Sequence, residues 1–108
     1  MNATYAPASS DELLDALARL DTAMALVVRR AGQGCGPDCE RHLDGASRGL
    51  RALLGPDASQ VVSDVIEAAH RVLTSADPSA PLLMLSMARR TLATVVHRQA
   101  ARATLRVA

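Results

Sequence analysis

Aliphatic side chains recur at steps of three and four residues in four stretches of this chain, and segments containing glycine or proline separate the stretches. The apolar positions of the first stretch are Leu13, Leu17, Leu20, Met24, Val27, Val28 and Ala31. This spacing places them on one face of a helix, because an α-helix completes a turn in about 3.6 residues. No stretch alternates apolar and polar residues as a strand does. The sequence therefore predicts an all-α fold.

Several residues are typical of helix ends. Ser9 and Glu12 have the spacing of a capping box, which predicts that the first helix begins there. Pro37 suits the first turn of a second helix, since proline lacks the N–H group that would go unused at that position. Asp57 and Gln60 repeat the capping-box spacing and predict the start of a third helix.

Two glycines, Gly45 and Gly49, lie four residues apart in the predicted second helix. Glycine weakens a helix relative to alanine. A pair of glycines four residues apart also permits close approach of a neighbouring element.

The last helix is expected to be the longest, from about Pro81 to Val107. Its inner face is predicted to consist of Leu85, Leu92, Val96, Ala100, Ala103 and Val107. Four helices with short connections and one apolar face each predict an antiparallel four-helix bundle. We expect one domain over residues 1–108, with residues 1–8 as a flexible lead.

The last helix also carries apolar residues outside its inner face, namely Met84, Met87, Val95 and Leu105. A helix that is apolar on more than one side usually has more than one neighbour. The simplest second neighbour is another copy of the chain, related by a twofold axis. The sequence thus predicts a homodimer formed through the last helix.

Composition narrows the classes of function. The chain has no Phe, no Trp and one Tyr, so it offers no aromatic platform for stacking a base or a planar cofactor. All twelve basic residues are arginine, which removes Schiff-base chemistry and a lysine general base. No apolar run reaches the roughly twenty residues that span a bilayer. The N-terminus lacks the basic and apolar regions of a signal peptide, so we expect a cytoplasmic protein without a membrane segment.

Both cysteines lie within eleven residues, in the stretch GQGCGPDCERH. Cys39 and His42 are three residues apart at the start of the predicted second helix and are therefore adjacent on its surface. Cys35, on the preceding turn, can fold toward them. Thiolate and imidazole ligands in this arrangement suit zinc or copper, with His70 or His97 as a fourth ligand.

Two other interpretations of this stretch stay open. The cysteines can form a thiol-redox switch, although Asp38 and Glu40 on either side of Cys39 oppose the helix dipole that favours a thiolate. Alternatively, Gly-Pro-Asp only starts a helix, and the cysteines are small, partly buried side chains.

The order of these elements resembles the helical copper- and formaldehyde-sensing repressors. The shared features are a helix, a short turn, a cysteine at the head of a second helix and a later long helix. In that family a His-x3-Cys pair further along the second helix completes the sensor site. No cysteine follows Cys39 in this chain, so the resemblance implies a sensor with an incomplete ligand set.

The last helix is basic. Arg98, Arg102 and Arg106 lie at four-residue steps and form a continuous stripe, and residues 78–108 contain no acidic side chain. The stripe can contact DNA phosphates or an acidic partner. It can equally be a solvated face that complements the helix dipole.

Arg89 falls inside the apolar inner face of the last helix. A buried guanidinium group must pair with a carboxylate or a bound anion. Asp21, Asp64 and Glu67 are the candidate partners, and the site is either an internal ion pair or a ligand contact.

No catalytic set is indicated, since the chain has no Glu-x-x-His motif of the kind that di-iron bundles use. The sequence therefore predicts a non-catalytic, self-associating helical module that binds a protein partner or a small apolar ligand and needs no cofactor. One alternative is a zinc, copper or thiol-redox sensor at Cys35, Cys39 and His42. The other is a DNA-binding regulator that uses the basic last helix.

Overall fold

The computed structural model describes residues 8–107, and those residues contain four helices and no strand. The helices are α1 (Ser10–Arg29), α2 (Pro37–Leu54), α3 (Ser59–Thr74) and α4 (Ser79–Val107). Each helix packs against the next along the chain, and α4 closes the bundle against α1. The prediction of an all-α, antiparallel four-helix bundle with short connections and a long last helix is confirmed. Most of the expected N-terminal lead, residues 1–7, lies outside the described residues, while Ala8 is half-buried against the core.

The core is built almost entirely from aliphatic side chains. The largest fully buried ones are Leu13, Leu20, Met24, Val27, Leu50, Val62, Val65, Val72, Leu73, Leu85, Leu92 and Val96. Burial of one such side chain stabilises the fold by about 1.5–3 kcal/mol. Among the side chains that the structure describes, each helix contributes the face that its apolar spacing predicts, except at Val28 of α1, which is exposed. The side chain of Val107, which the sequence places on the inner face of α4, lies outside the described residues.

The capping box at the start of α1 is present. The Glu12 N–H donates to the Ser9 hydroxyl oxygen at 3.1 Å, and the Ser9 N–H donates to the Glu12 carboxylate at 3.0 Å. These two bonds satisfy backbone donors that a helix start leaves without partners. Pro37 begins α2, also as predicted.

The capping prediction for α3 is wrong. Helix α3 begins at Ser59 with Ala58 as its N-cap, and no side chain caps it. The Ser59 hydroxyl donates instead to the Gly55 carbonyl at 3.0 Å. Gln60 is the second helical residue, one position early for a capping box, and its amide donates to Asp64.

Helix α4 begins two residues before the predicted Pro81. The Asp77 carboxylate accepts hydrogen bonds from the Ser79 N–H at 3.2 Å and the Ser79 hydroxyl at 2.8 Å. These bonds favour the charged carboxylate and lower the pKa of Asp77. Pro81 is tolerated because it lies in the first turn, where no N–H is needed. In residues 8–107, no helix combines the length and apolar character needed to cross a membrane.

Replacing Ser9, which caps α1, should destabilise the fold. Replacing Asp57, which was predicted to cap α3 but does not, should leave the stability nearly unchanged. Ser9→Ala is expected to lower the free energy of unfolding by about 1 kcal/mol, because one helix-start N–H loses its partner. Asp57→Ala is the matched control and is expected to change it by less than about 0.5 kcal/mol. Urea denaturation followed by circular dichroism measures both. Equal losses for the two variants would contradict this account of the helix starts.

Candidate functional site

The segment between α1 and α2 is fixed to the end of α3. The Gly32 N–H donates to the Val72 carbonyl at 2.9 Å, and the Gly34 N–H donates to the Leu73 carbonyl at 2.8 Å. Both glycines have positive φ angles, 77° and 83°, which other residues adopt only with strain. This turn holds Cys35 against the first turn of α2.

Four titratable side chains meet at this turn, and we call them the thiol cluster: Cys35, Cys39, Glu40 and His70. Cys39 is buried, Cys35 is half-buried, and both are free thiols. Cys39 and Glu40 lie close enough to Cys35 to raise the pKa of its thiol. The His70 Nε2 atom lies 3.2 Å from a Glu40 carboxylate oxygen. The structure therefore brings the two predicted thiols together with Glu40, which the sequence analysis did not select.

His42, the third predicted metal ligand, lies elsewhere. It is exposed and lines a groove between α1 and α2, together with Arg19 and Arg41. His97, proposed as a fourth ligand, is exposed on α4. Throughout the part of the chain that the structure describes, no three His, Cys, Asp or Glu side chains are arranged to hold a metal ion. Zinc or copper binding stays a prediction.

The environment of Cys35 opposes ionisation of its thiol. Burial is the largest cause, followed by the hydrogen bonds with Cys39 and Glu40 and by electrostatic repulsion from these two groups. Together they raise the pKa of Cys35 to about 12. The thiol is therefore protonated near neutral pH, and a protonated thiol is a poor nucleophile and a poor metal ligand.

The outward side of α4 carries large apolar side chains in contact with solvent. Leu83 is 65% exposed, Met84 45%, Met87 61% and Leu105 74%. Three of these were predicted to lie outside the inner face. Val95 was predicted with them, but it is half-buried against the core. Leu83 was missed, although its position four residues before Met87 places it on the same side.

We define the outer face of α4 as seven exposed positions. They are Leu83, Met87, Arg90, Thr94, Arg98, Ala101 and Leu105. All lie within about 40° of Thr94 on a helical wheel. The Thr94 hydroxyl donates to the Arg90 carbonyl at 3.1 Å, and the neighbouring Thr91 hydroxyl donates to the Met87 carbonyl at 3.2 Å. These hydroxyl groups need no further partner, so covering this face would leave none of their donors unsatisfied.

The predicted basic stripe is exposed. Arg98, Arg102 and Arg106 all face solvent, and none of them forms an ion pair with another described residue. Only Arg98 belongs to the outer face of α4, because each further four-residue step turns the stripe by about 40°. The DNA-binding hypothesis stays a prediction.

Arg89 is less buried than its position in the apolar spacing predicts. Its side chain is 35% exposed, and its guanidinium group lies 3.2 Å from the carboxylate of Asp21 in α1. Asp21 was one of the three predicted partners. The long arginine side chain covers apolar surface with its methylene groups while its charged end reaches the groove between α1 and α4.

A groove lies between α1 and α2, and we call it the α1–α2 groove. It has a volume of about 560 Å³. Its lining residues are Arg19, Thr22, Ala23, Leu26, Arg29, Arg41, His42, Gly45 and Ala46. Three arginines and a histidine surround an apolar floor, and no carboxylate group belongs to the lining. The sequence analysis missed this site because its cationic residues come from two helices.

No neighbouring helix makes the close approach that Gly45 and Gly49 permit. A Cβ atom built on either glycine would meet no neighbouring atom within 4 Å. Gly45 lines the α1–α2 groove, and Gly49 lines its continuation toward the start of α1. The missing side chains therefore leave open space.

Similarity to known proteins does not identify the chain. No protein-family profile matches the sequence, and neither curated proteins nor solved structures show a significant similarity to it. The geometry of the thiol cluster, the outer face of α4 and the α1–α2 groove is therefore the basis for inferring function.

The Cys35 thiol should react slowly in the folded protein. Alkylation of Cys35 by iodoacetamide at pH 8 is expected to be at least about a hundredfold slower in the native chain than in the urea-unfolded chain, because the native thiolate is scarce. Mass spectrometry of the digested protein separates the Cys35 and Cys39 adducts and measures both rates. A native Cys35 rate within a few-fold of the unfolded rate would show that the thiol is not suppressed.

Proposed function

We propose that this chain is a non-catalytic helical binding module of the cytoplasm that associates with a second copy of itself through the outer face of α4. The observation that carries the proposal is the exposure of Leu83, Met87 and Leu105, each more than 60% exposed, on one side of one helix. Exposed apolar surface of this kind marks interaction sites on soluble proteins. The free thiols of Cys35 and Cys39 are what a reducing compartment favours.

The residues of the outer face suit an antiparallel pairing about a twofold axis at Thr94. Leu83 and Leu105 lie eleven residues before and after Thr94, and Met87 and Ala101 lie seven before and after it. A second α4 in the opposite direction places its Leu105 against Leu83 and its Ala101 against Met87. Thr94 at the centre and Ala101 opposite Met87 are small, so they let the two helices approach closely.

The charges on the outer face are compatible with this pairing. Arg90 and Arg98 lie on opposite sides of Thr94, each about 40° away. Arg90 is on the side of α1, so Arg98 is on the side of α3. The twofold axis brings Arg98 of the second copy to the level of Arg90 but over α3. Asp64, Glu67 and Arg71 line the groove between α3 and α4 there. Arg71 pairs with Glu67, so Asp64 is the carboxylate that attracts the guanidinium group of Arg98.

Two acidic substitutions should separate the copies. Leu83→Glu/Met87→Glu is expected to leave the fold intact, because both side chains point to solvent, and to yield only monomer at micromolar concentration. The native chain is expected to sediment as a dimer under the same conditions. Ala52→Glu, which places an acid on the exposed side of α2, is the control and should remain dimeric. A native chain that sediments as a monomer at these concentrations would contradict self-association.

Disulfide cross-linking should reveal the direction of the pairing. In a Cys35→Ser/Cys39→Ala background, a mixture of the Leu83→Cys and Leu105→Cys chains is expected to form one mixed cross-linked dimer on mild oxidation. Leu83→Cys alone is expected to stay uncross-linked, because antiparallel pairing holds its two copies about 33 Å apart along the helix axis. A disulfide needs Cα atoms within about 7 Å.

The outcomes of cross-linking distinguish the direction of the helix pairing from self-association itself. Efficient Leu83→Cys homodimers would show parallel pairing, so the axis at Thr94 would be wrong while self-association through α4 stands. Reducing and non-reducing gel electrophoresis, with circular dichroism to check the fold of each variant, distinguishes these results.

A thiol-redox sensor is the second candidate, and the proximity of the two free thiols, Cys35 and Cys39, favours it. Exchange with glutathione disulfide would join the two sulfur atoms in one bond and release two molecules of reduced glutathione. The high pKa of Cys35 makes this exchange slow near neutral pH. The mass of the protein after incubation with glutathione disulfide tests it, since an internal disulfide lowers the mass by two hydrogen atoms.

A further inference from the structure

The α1–α2 groove concentrates positive charge in a chain whose formal net charge is only +1. Arg19 and Arg29 of α1 form no ion pair with any described residue. Arg41 of α2 pairs with Asp38, which lies outside the lining. His42 adds an imidazole group to the rim. The groove therefore presents guanidinium donors that an anion can reach.

The floor of the groove is apolar. It consists of Ala23, Leu26 and Ala46, with Gly45 between the basic residues of α2 and Ala46. Ala23 is buried, and Leu26 and Ala46 are half-buried. An aliphatic chain lying on this floor would cover surface that water now contacts, which stabilises the complex.

Gly45 belongs to the lining of the groove and lies in the interior of α2. Glycine in a helix interior costs up to about 1 kcal/mol relative to alanine. Its φ angle is not positive, and no neighbour approaches within 4 Å of a Cβ atom built there. Neither backbone conformation nor packing accounts for a glycine at this position. Its effect is to keep the centre of the groove open.

We infer that the α1–α2 groove binds a small amphipathic anion, an aliphatic carboxylate whose head group contacts the arginines and whose chain lies on the apolar floor. This site goes beyond the proposed self-association, because α1 and α2 alone form it and no residue of the outer face of α4 takes part. The volume of about 560 Å³ lies within the range of small-molecule sites. Arginine suits the head group because its fork of N–H donors matches a carboxylate.

The charge pattern along the groove orients the ligand. Arg29, Arg41 and His42 belong to the part of the groove near the α1–α2 turn. Beyond Arg19 the groove continues past Glu12 and Asp15, whose carboxylates repel an anion. The head group therefore lies between Arg29 and Arg41, and the aliphatic chain extends across Gly45 toward Arg19.

Titration with octanoate, followed by amide chemical shifts in NMR spectra, tests the site. 1-Octanol and octyltrimethylammonium have the same aliphatic chain with no charge and with a positive charge. Octanoate is expected to shift amides of the groove residues and to bind at least about tenfold more tightly than 1-octanol, since a hydrogen bond to a charged group contributes about 1.5–3 kcal/mol. Octyltrimethylammonium is expected to bind no better than 1-octanol.

Matched variants test the position. Gly45→Leu fills the groove and should abolish octanoate binding, whereas Gly49→Leu makes the same change four residues away and should leave binding within about twofold. Arg29→Gln should weaken binding at least about fivefold, and Arg48→Gln, which removes an exposed arginine outside the lining, should not. Each variant is checked by circular dichroism, and Gly→Leu changes favour the helix.

The result that would overturn the site is equal affinity for octanoate and 1-octanol, or an equal effect of Gly45→Leu and Gly49→Leu. Absence of any octanoate-dependent shift at millimolar concentration would overturn it as well. The same titration on the monomeric Leu83→Glu/Met87→Glu chain is expected to give unchanged octanoate affinity. This titration therefore tests the α1–α2 groove independently of self-association through the outer face of α4.

Discussion

The structure depends on close contact among aliphatic side chains, because the chain has no Phe or Trp to fill space between its helices. Leu85, Leu92 and Val96 hold α4 against its neighbours and are fully buried. Loss of a buried leucine side chain from such a core costs about 2–5 kcal/mol, because small side chains collapse poorly into the cavity that remains. Only a narrow face of α4 is used in this way. The opposite side of the longest helix is left in contact with solvent.

The two binding surfaces that we propose arise from departures from an ideal bundle. The outer face of α4 exists because Leu83, Met87 and Leu105 lie on a side of the helix that none of the other three described helices covers. The α1–α2 groove is open at its centre because Gly45 has no side chain there. The outer face of α4 is apolar with a threonine at its centre, and the α1–α2 groove has an apolar floor with arginines around it. Their chemistry favours different partners, a second copy and a small anion.

Two of the helix starts could be predicted from the spacing of neighbouring residues, and the start of α3 could not. The capping box of Ser9 and the start of α2 at Pro37 depend on neighbouring residues, and both are confirmed. The α3 cap failed at Asp57 because the Gly55-Pro56 turn starts the helix later than the capping-box spacing implies. Local spacing alone cannot detect that delay.

The placement of the candidate site residues in three dimensions could not be predicted from local spacing. Cys39 and His42 are neighbours on α2, yet one is buried toward the core and the other lies in the α1–α2 groove. Arg89 follows the inner spacing of α4, but its length lets the guanidinium group leave the core and reach Asp21. The arginines of the groove come from two helices, so no single stretch of sequence shows them together. The aliphatic inner faces were predictable because each is a pattern that repeats along the whole helix and does not depend on one side chain.

The central claim is that a second copy of the chain covers the outer face of α4. The most direct measurement is the solvent exposure of methionine methyl groups, read from methyl NMR line broadening by a soluble gadolinium complex over a dilution series. Met24, which is fully buried in the core, serves as the internal reference. The account predicts that the Met87 methyl is protected at high protein concentration and becomes exposed on dilution, while Met24 stays protected throughout. A Met87 methyl that is equally exposed at every concentration would contradict it.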